Sequence, residues 1–358
     1  MKFHRITIKI GSNVLTTPQG MLDNERLALL VAQIARLHRQ GIEIIVVSSG
    51  AVAAGRSEIV PHNKPNTVQA RQLFSAVGQA KLINHYYEQF RRHNIVCGQV
   101  LTTKDNFRSR QHYLTMQSCV AAMLANGVVP IVNENDTVSV SELMFTDNDE
   151  LAGLMSEMMN VEALMILSNV DGIYNGSPAS PAAEVIRTID VKTDISQFIT
   201  QSKSEFGRGG MLTKVGIAGK TAAAGIDVFI ANGKRDNVIT EWAEHPETLC
   251  CTHFVAQQKK MSNVKTWIHH SQSFTTAAIV INAGVVEALH KSAVSILPVG
   301  VTRIDRMFKK GDVVNIIDEQ GKLVGIGKVT CNSEKALQTL GKKGEKELVH
   351  YNYLYLTD

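Results

Sequence analysis

The sequence is poor in cysteine, and its cysteines do not form the pattern of a metal site or a disulfide framework. The five cysteines are Cys97, Cys119, Cys250, Cys251 and Cys331. Their number is odd and no C-x-x-C pair occurs, which argues against a zinc site. Because reduced thiols are typical of the cytoplasm, we expect a cytoplasmic protein.

Long apolar runs are also missing, and no segment reaches the length of a membrane span. Met1 to Arg5 leads directly into the pattern of a strand, without the features of a signal peptide. Charge of one sign is equally scarce, since the formal net charge is only +4. That excess is too small to require a polyanionic partner. We therefore expect no membrane association and no obligatory nucleic-acid ligand.

Three common site signatures are absent. The chain has no G-x-x-x-x-G-K-[ST] P-loop, no G-x-G-x-x-G dinucleotide motif and no G-x-S-x-G nucleophile elbow. The standard signatures of P-loop NTPases, Rossmann dehydrogenases and α/β-hydrolases are thus excluded. What remains is an ordinary globular composition, with 44% apolar and 20% charged residues.

Strand-like and helix-like patterns alternate over the first two thirds of the chain. The pattern of Ile6 to Ile10 predicts a strand, and that of 42–47 predicts the next one. Between them, an amphipathic helix is predicted with Asp23 as its N-cap and Gly41 as its C′ residue. Further helices are predicted around 69–93 and 110–126, and strands near 95–101, 128–132, 163–167 and 226–231. This order predicts an α/β fold, a three-layer αβα sandwich around a mainly parallel sheet.

The pattern changes after about residue 245, and short strand-like runs punctuated by glycine begin near 274. The runs are 278–281, 294–297, 313–317 and 323–329. They predict a small β-rich second domain. We therefore divide the chain into a catalytic domain 1–250, a linker 251–273 and a C-terminal domain 274–358.

Two polar clusters follow the predicted strand 128–132. Asn133 to Asp136 stand where that strand ends, and Asp147, Asn148 and Asp149 come shortly afterwards. Polar side chains crowded at the carboxyl end of a strand are typical of ligand sites in α/β sheets, although a turn rich in Asn and Asp is the simpler alternative. Asp136 and Asn148 could bind an α-amino group and a carboxylate or amide, and Asp149 could orient lysines or coordinate magnesium through water.

Other strand-to-helix junctions carry small or charged residues. Lys9 with Gly11, and the glycine-rich run 207–214 ending in Lys214, could surround phosphates with ammonium and backbone N–H groups. The run of small residues 48–55 could bind a carboxylate, or it could merely allow a helix to pack tightly on the sheet. The segment 168–174 could line a nucleotide site, or it could form a simple turn. Two lysines at glycine-rich turns with a carboxylate and amide cluster suit phosphoryl transfer.

Five segments in this order resemble the amino acid kinase family. They are KIGSNVLT (9–16), VVSSGAVAAGR (46–56), PIVNENDTV (130–138), TDNDELAGL (146–154) and GRGGMLTK (207–214). SAVGQAKL (75–82) is also similar to the family, and the C-terminal part, including SILPVGV (295–301), resembles a PUA domain. The resemblance covers nearly the whole chain.

The resemblance implies a role for each matched residue. The implied catalytic residues are Lys9, Lys214 and Asp149. The implied substrate-binding residues are Ser49, Gly50, Ala51, Asp136 and Asn148. The implied ATP-binding residues are Lys9, Gly11, Ser168, Asn169, Arg208, Gly209, Gly210, Met211, Leu212, Thr213 and Lys214. No metal ligand is implied, because Mg²⁺ is expected mainly through ATP.

Some positions depart from the family pattern. Ser168 and Asn169 replace a frequent Thr-Asp, Arg208 stands where a small residue is usual, Thr146 replaces a common glycine, and 175–178 lacks the usual Asp-Pro. These changes concern nucleotide affinity and loop detail. They leave the residues assigned to phosphoryl transfer intact.

The resemblance implies a substrate as well: L-glutamate, whose γ-carboxylate would be phosphorylated by ATP with Mg²⁺ to γ-glutamyl phosphate, the first step of proline biosynthesis. It further implies proline as feedback inhibitor, a homo-oligomer, and glutamate-5-semialdehyde dehydrogenase as a partner for the labile product. The alternatives are a related kinase acting on acetylglutamate, aspartate, carbamate or UMP, a catalytically dead regulator, or an RNA-binding protein. RNA is disfavoured, since 11 Lys+Arg against 9 Asp+Glu give residues 274–358 a net charge of only +2.

Overall fold

A computed structural model describes residues 3–62, 65–138, 147–176, 180, 183–190, 210–257, 268, 275 and 277–357. For residues 108, 110, 210 and 212 only the backbone is described. The chain divides into two compact units, the first formed by residues 1–105 and 114–260 and the second by 106–113 and 261–358.

The first unit alternates strands and helices, as predicted. Its described strands are β1 (Arg5–Ile10), β2 (Glu43–Ser48), β3 (Cys97–Thr102), β4 (Val129–Glu134), β5 (Ala163–Ser168), β6 (Thr188–Ile189), β7 (Asp227–Asn232) and β8 (Cys251–Phe254). Its described helices are α1 (Asn24–Arg39), α2 (Ala51–Arg56), α3 (Thr67–Arg92), α6 (Asn148–Met158), α7 (Gly210–Ala223) and α8 (Val238–Glu244). Helices α4 (Lys104–Arg108) and α5 (Arg110–Ala125) are divided between the units, since residues 106–113 belong to the second.

These strands form one sheet in the order β3-β4-β2-β1-β5-β7-β8-β6. Neighbouring strands are parallel except β7 and β8, so the prediction of a mainly parallel sheet is confirmed. The predicted linker 251–273 differs from the structure at its start, because 251–254 is a strand that pairs with β7 of this sheet. The carboxyl ends of β1, β2, β4 and β5 consequently lie at one edge of the sheet.

Helix α1 shows how the local sequence sets its bounds. The Asp23 side chain accepts a hydrogen bond from the Arg26 backbone N–H at 2.9 Å, which confirms the predicted N-cap. Gly41 follows the last turn with φ +85°, a conformation that glycine adopts without strain. The apolar face of α1 packs into the core beneath the sheet, with Leu27, Leu30 and Ile34 fully buried.

The second unit contains a mixed sheet in the order β10-β9-β11-β12-β13. Its described strands are β9 (Ala278–Ile281), β10 (Val301–Asp305), β11 (Val313–Ile317), β12 (Leu323–Val329) and β13 (Val349–Leu356), and its helices α9 (Ala283–Lys291) and α10 (Ser333–Thr339). It has its own apolar core around Ile279, Ile316 and Val349. The predicted strand 294–297 is wrong, because only Ile296 forms a single bridge before Pro298 opens a 3₁₀ turn.

In the part of the chain that the structure describes, no helix combines the length and apolar composition needed to cross a bilayer.

Candidate active site

The predicted site residues gather at the carboxyl edge of the first sheet. In the strand register Ile10 lies opposite Ser48 on one side and Leu167 on the other, so the segments after β1, β2 and β5 start level with one another. Strand β4, which ends at Glu134, pairs with β2. Residues far apart in the sequence therefore meet at one place, as expected for an α/β ligand site.

Asp149 joins the two predicted lysines in a buried triad. Lys9 Nζ, at the end of β1, lies 2.5 Å from Asp149 Oδ1. Lys214 Nζ, in α7, donates a hydrogen bond to Asp149 Oδ2. The side chain of Asp149 is fully buried, and Lys9 and Lys214 are only 5% and 16% exposed. Two ammonium groups are thus held side by side by one carboxylate.

The electrostatics of the triad favour the ionised form of the Asp149 carboxyl. Burial alone would raise the pKa of this carboxyl, but the ammonium groups of Lys9 and Lys214 outweigh burial and hold the pKa below its usual value. Burial lowers the pKa of Lys9, which the charge of Asp149 opposes and that of Lys214 reinforces. The charge of Asp149 therefore favours the protonated form of Lys9.

Asp147 fixes the turn that carries Asp149. Its Oδ1 caps helix α6 by accepting hydrogen bonds from the backbone N–H groups of Asp149 at 3.0 Å and Glu150 at 3.2 Å. Burial, followed by the neighbouring Asp149 charge, raises the pKa of Asp147. The residue was part of the predicted cluster, but its capping function was not predicted.

Asn148 bridges three segments of the site. Its Nδ2 donates to the backbone oxygen of Ser48 at 3.0 Å, to Ser49 Oγ at 2.9 Å and to Asn133 Oδ1 at 2.9 Å. The structure therefore brings the predicted substrate residues Ser49 and Asn148 into direct contact. Gly50, with φ +106°, lets the chain turn from β2 into Ala51 at the start of α2.

Part of the small-residue run 48–55 serves helix packing. A Cβ on Gly55 would lie 1.8 Å from the backbone oxygen of Phe74, and one on Gly78 would lie 1.8 Å from that of Ala51. Helices α2 and α3 thus cross with their backbones nearly touching. The packing explanation holds for Gly55, while Ser49 contacts the site residue Asn148.

Asp136 is held by side chains that sequence reasoning did not single out. Its Oδ1 accepts from Arg71 Nε at 2.7 Å and its Oδ2 from Ser75 Oγ at 2.7 Å. Arg71 also donates to Glu134 Oε2 at 2.9 Å, and Gln79 Oε1 accepts from Asn133 Nδ2 at 2.8 Å. The signal that could have found them is their spacing, since residues 71, 75 and 79 lie on one face of a helix.

The predicted ATP-binding residues are described only in part. Gly11 N–H donates to the Leu167 backbone oxygen at 3.1 Å, and a Cβ there would lie 3.0 Å from that oxygen, so β1 and β5 approach closely. Ser168 is buried at the end of β5, with exposed Asn169 beside it. Gly210 to Lys214 form the start of α7, with Met211 and Thr213 half-buried and the Leu212 side chain not described. Arg208 and Gly209 lie outside the described residues.

Among the residues that the structure describes, no three His, Cys, Asp or Glu side chains are grouped so that they could hold a metal ion.

Comparison with known proteins places this site in a family context. The amino acid kinase family model matches residues 4–232, which include β1 to β7, and the PUA domain model matches residues 277–350. The resemblance seen in the five motifs and in the C-terminal domain is thereby confirmed.

Curated relatives are similar over the full length. The chain is 56% identical over 356 residues to "Glutamate 5-kinase" of Bacteroides thetaiotaomicron, covering 99% of both chains. It is 45% identical over 357 residues to the protein of the same name from Chlorobaculum tepidum, covering 99% of this chain and 98% of the relative. For that of Halalkalibacterium halodurans the identity is 35% over 373 residues, covering 100% and 98%.

Solved structures share the fold of the first unit. Carbamate kinase from Giardia lamblia bound to AMP-PNP gives a TM-score of 0.52 at 15% identity, covering 72% of this chain and 99% of that one. The isopentenyl phosphate kinase product complex of T. acidophilum gives 0.51 at 16% identity, covering 70% and 99%. At such identities the likeness concerns the fold and not the substrate.

Proposed function

Since the chain belongs to the amino acid kinase family, we propose that it transfers the γ-phosphoryl group of ATP to the γ-carboxylate of L-glutamate. Full-length relatives at 56% and 45% identity carry the name Glutamate 5-kinase, which supports this substrate over acetylglutamate, aspartate, carbamate or UMP. The reaction yields γ-glutamyl phosphate and ADP and opens proline biosynthesis.

The observation that carries the proposal is the triad of Lys9, Asp149 and Lys214. Transfer to a carboxylate brings two anions together, because the γ-carboxyl of glutamate is already ionised at neutral pH. No general base is therefore needed, and the task of the site is to supply positive charge. One carboxylate between two ammonium groups gives the triad itself a net charge of +1.

The chemistry then follows from these charges. A γ-carboxylate oxygen of glutamate attacks the γ-phosphorus, and the bond between that phosphorus and the bridging oxygen breaks, so that ADP leaves with the electron pair. Lys9 and Lys214 stabilise the negative charge that spreads over the transferring group and the leaving oxygen. Asp149 holds both ammonium groups in place and favours the protonated form of Lys9.

Mg²⁺ belongs to the proposal as a companion of ATP. Both carboxylate oxygens of Asp149 face ammonium groups, which suits a metal ion held by the phosphate oxygens rather than by this carboxylate. When bound, Mg²⁺ neutralises part of the phosphate charge.

The amino acid is proposed to bind beside the triad. Asp136 and Asn148 would meet its α-ammonium group, while Ser49 and the backbone of Gly50 and Ala51 would meet its α-carboxylate. This orientation directs the side-chain carboxylate of glutamate towards Lys9 and Lys214. The hydrogen bond from Asn148 Nδ2 to Ser49 Oγ supports it by placing these two residues side by side.

The experiment that tests the function is trapping of the product with hydroxylamine. Purified protein with ATP, Mg²⁺ and L-glutamate should form γ-glutamyl hydroxamate, and acetylglutamate, aspartate, carbamate and UMP should give no comparable turnover. Lys214→Met should lower kcat at least about a hundredfold, the scale of losing one transition-state donor. Lys291→Met, at an exposed lysine of the second unit, is the matched control. Absence of hydroxamate with glutamate but turnover of another acceptor would refute the proposed substrate.

Further proposals concern the regulation, the partners and the assembly of the protein. Proline should inhibit by competing with glutamate, and inhibition constants for wild type and Asp136→Ala would test this. The acyl phosphate is labile, which favours transfer to glutamate-5-semialdehyde dehydrogenase as a partner, in a cytoplasmic homo-oligomer. Light scattering measures the oligomeric state, and channelling in a coupled assay tests the partner.

We propose no RNA ligand, because residues 277–350 lie in a region of small net charge.

A further inference from the structure

Helix α3 carries a polar stripe that the proposed chemistry does not use directly. Arg71, Ser75 and Gln79 occur at intervals of four residues and therefore lie on one face of the helix. Ser75 is 2% exposed and Gln79 is 9% exposed. Most buried polar groups in proteins are hydrogen-bonded. All three bond to the segment 133–136.

The partners of the stripe flank the amino-acid site. Ser75 Oγ donates to Asp136 Oδ2 at 2.7 Å, and Arg71 Nε donates to Asp136 Oδ1 at 2.7 Å. Both oxygens of this carboxylate are thus fixed from the side of the helix. Each carboxylate oxygen can accept more than one hydrogen bond, so both remain able to accept from a substrate.

The orientation of Asn133 is fixed by a backbone group. Glu134 N–H, which can only donate, bonds to Asn133 Oδ1 at 2.9 Å. Asn133 must therefore direct Nδ2 elsewhere, and Nδ2 donates to Gln79 Oε1 at 2.8 Å. Gln79 is the acceptor that holds this amide in place.

The positions of the donor and acceptor atoms of the Asn148 amide are fixed in the same way. Asn133 Oδ1 accepts from Asn148 Nδ2, and so does the backbone oxygen of Ser48, which can only accept. The amide nitrogen of Asn148 is therefore occupied, and its Oδ1 makes no hydrogen bond to any residue in the described part of the chain. The available groups of Asn148 and Asp136 are consequently oxygens that accept.

We propose that the stripe of Arg71, Ser75 and Gln79 is the positioning element of the amino-acid site, which makes Asp136 and Asn148 an all-acceptor pair selective for a free α-ammonium group. This inference rests on the proposed function. Gln79 acts through Asn133 on Asn148, and Arg71 and Ser75 act on Asp136. None of the three is required to touch the transferring phosphate.

The stripe predicts a specific change in ligand preference. Glutarate has both carboxylates of glutamate but lacks the α-amino group, so it reports the contacts that do not involve the ammonium. Gln79→Met removes the acceptor for Asn133 and should raise the KM for glutamate about tenfold, the effect of one lost hydrogen bond to a charged group. The KM for ATP and the inhibition constant of glutarate should stay within about twofold of their wild-type values. A change of that size is smaller than the loss of one hydrogen bond to a charged group would cause.

Matched variants distinguish an effect on the position of the site residues from a general destabilisation of the fold. Gln79→Glu keeps an acceptor oxygen towards Asn133 and should restore most of the glutamate affinity. Gln89→Met makes the same substitution on the same helix, at a residue whose side chain makes no hydrogen bond in the described structure, and should leave every constant unchanged. Ser75→Ala makes the smallest change, and its glutamate KM should rise with kcat and the glutarate constant nearly unchanged, even if Gln79→Met does not fold.

The outcomes are distinguishable. Selective loss of glutamate over glutarate in Ser75→Ala and Gln79→Met, with recovery in Gln79→Glu, supports the stripe. Parallel weakening of glutamate and glutarate, or unchanged glutamate KM in folded Ser75→Ala and Gln79→Met, overturns it. If wild-type protein forms no glutamyl hydroxamate at all, the proposed function has failed first and the assignment of the stripe to an amino-acid site falls with it.

Discussion

Replacing Asp149 with asparagine tests whether the buried triad is an electrostatic unit. Asp149→Asn keeps the size of the side chain but removes the charge between two ammonium groups. With Lys9 Nζ 2.5 Å from Asp149 Oδ1, Coulomb's law at an effective dielectric constant of about 20 gives an attraction of about 7 kcal/mol. The desolvation penalty of the buried carboxylate disappears together with its charge, which offsets part of this value. We expect a net loss of about 3–5 kcal/mol in the free energy of unfolding, as for other broken buried pairs.

Tryptophan fluorescence can follow this loss in the first unit. Trp242 is 1% exposed and stacks on Phe3 with ring centroids 5.8 Å apart. The sequence has two tryptophans, so a Trp267→Phe background makes Trp242 the single reporter. Urea unfolding of Asp149→Asn, Lys9→Met and the double variant forms a double-mutant cycle. The double variant should recover much of the stability, because no unpaired charge of the pair then remains buried.

The pH dependence of stability and activity should follow the pKa directions. The pKa of Asp149 in the folded protein is below its ordinary value, so its contribution is present above the ordinary value of 3.8 and is lost as the pH falls through the lower folded pKa. In Asp149→Asn, burial and Lys214 lower the pKa of Lys9 without opposition from Asp149. The alkaline decline of any residual kcat should therefore move to lower pH.

Two results would refute this reasoning. A loss below about 1 kcal/mol in Asp149→Asn, the value of an exposed pair, would mean that the triad is effectively solvated. Additive effects of Asp149→Asn and Lys9→Met would mean that the two groups are not coupled, whatever their distance in the structure.

Three other predictions concern neighbouring parts of the molecule. Asp136→Ala and Asn148→Ala should raise the KM for glutamate and leave the KM for ATP nearly unchanged in steady-state kinetics. A rise in the KM for ATP alone would mean that these residues bind the nucleotide and not the amino acid. Gly78→Ala should destabilise the first unit by about 1–3 kcal/mol in urea unfolding through overpacking, whereas Gly219→Ala, with open space around it, should not destabilise it. A chain truncated after residue 260 should still form hydroxamate, since the assigned residues precede that position; a folded but inactive product would contradict this.

The sequence predicted the strands that carry the site because their signals are local. Ile6 to Ile10 and 163–167 are apolar runs that end at small or polar residues, and the observed strands Arg5–Ile10 and Ala163–Ser168 differ from them by one residue. Helix α6 was not predicted. Its residues 151–158 are all buried, so no polar face reveals a period of 3.6 residues.

The contacts of α3 were beyond prediction for a different reason. Arg71, Ser75 and Gln79 have helical spacing, which is readable, but their partners lie 54 to 65 residues away. Only the pairing of strands β2 and β4 and the close crossing of α2 and α3 bring them together. A polar stripe on a helix is, by itself, equally typical of a solvated face.

The first turn of α6 explains why the two halves of the site act together. Asp149 faces Lys9 and Lys214, while the adjacent Asn148 faces Ser49 and Asn133. The Asp147 cap accepts hydrogen bonds from the backbone N–H groups of Asp149 and Glu150 and so holds the first turn of α6, in which Asn148 also lies. A single helical turn therefore joins the cationic half, suited to phosphates, to the acceptor half, suited to an α-ammonium group. Because Asn148 and Asp149 are consecutive residues of this turn, loss of the Asp147 cap should disturb both halves of the site.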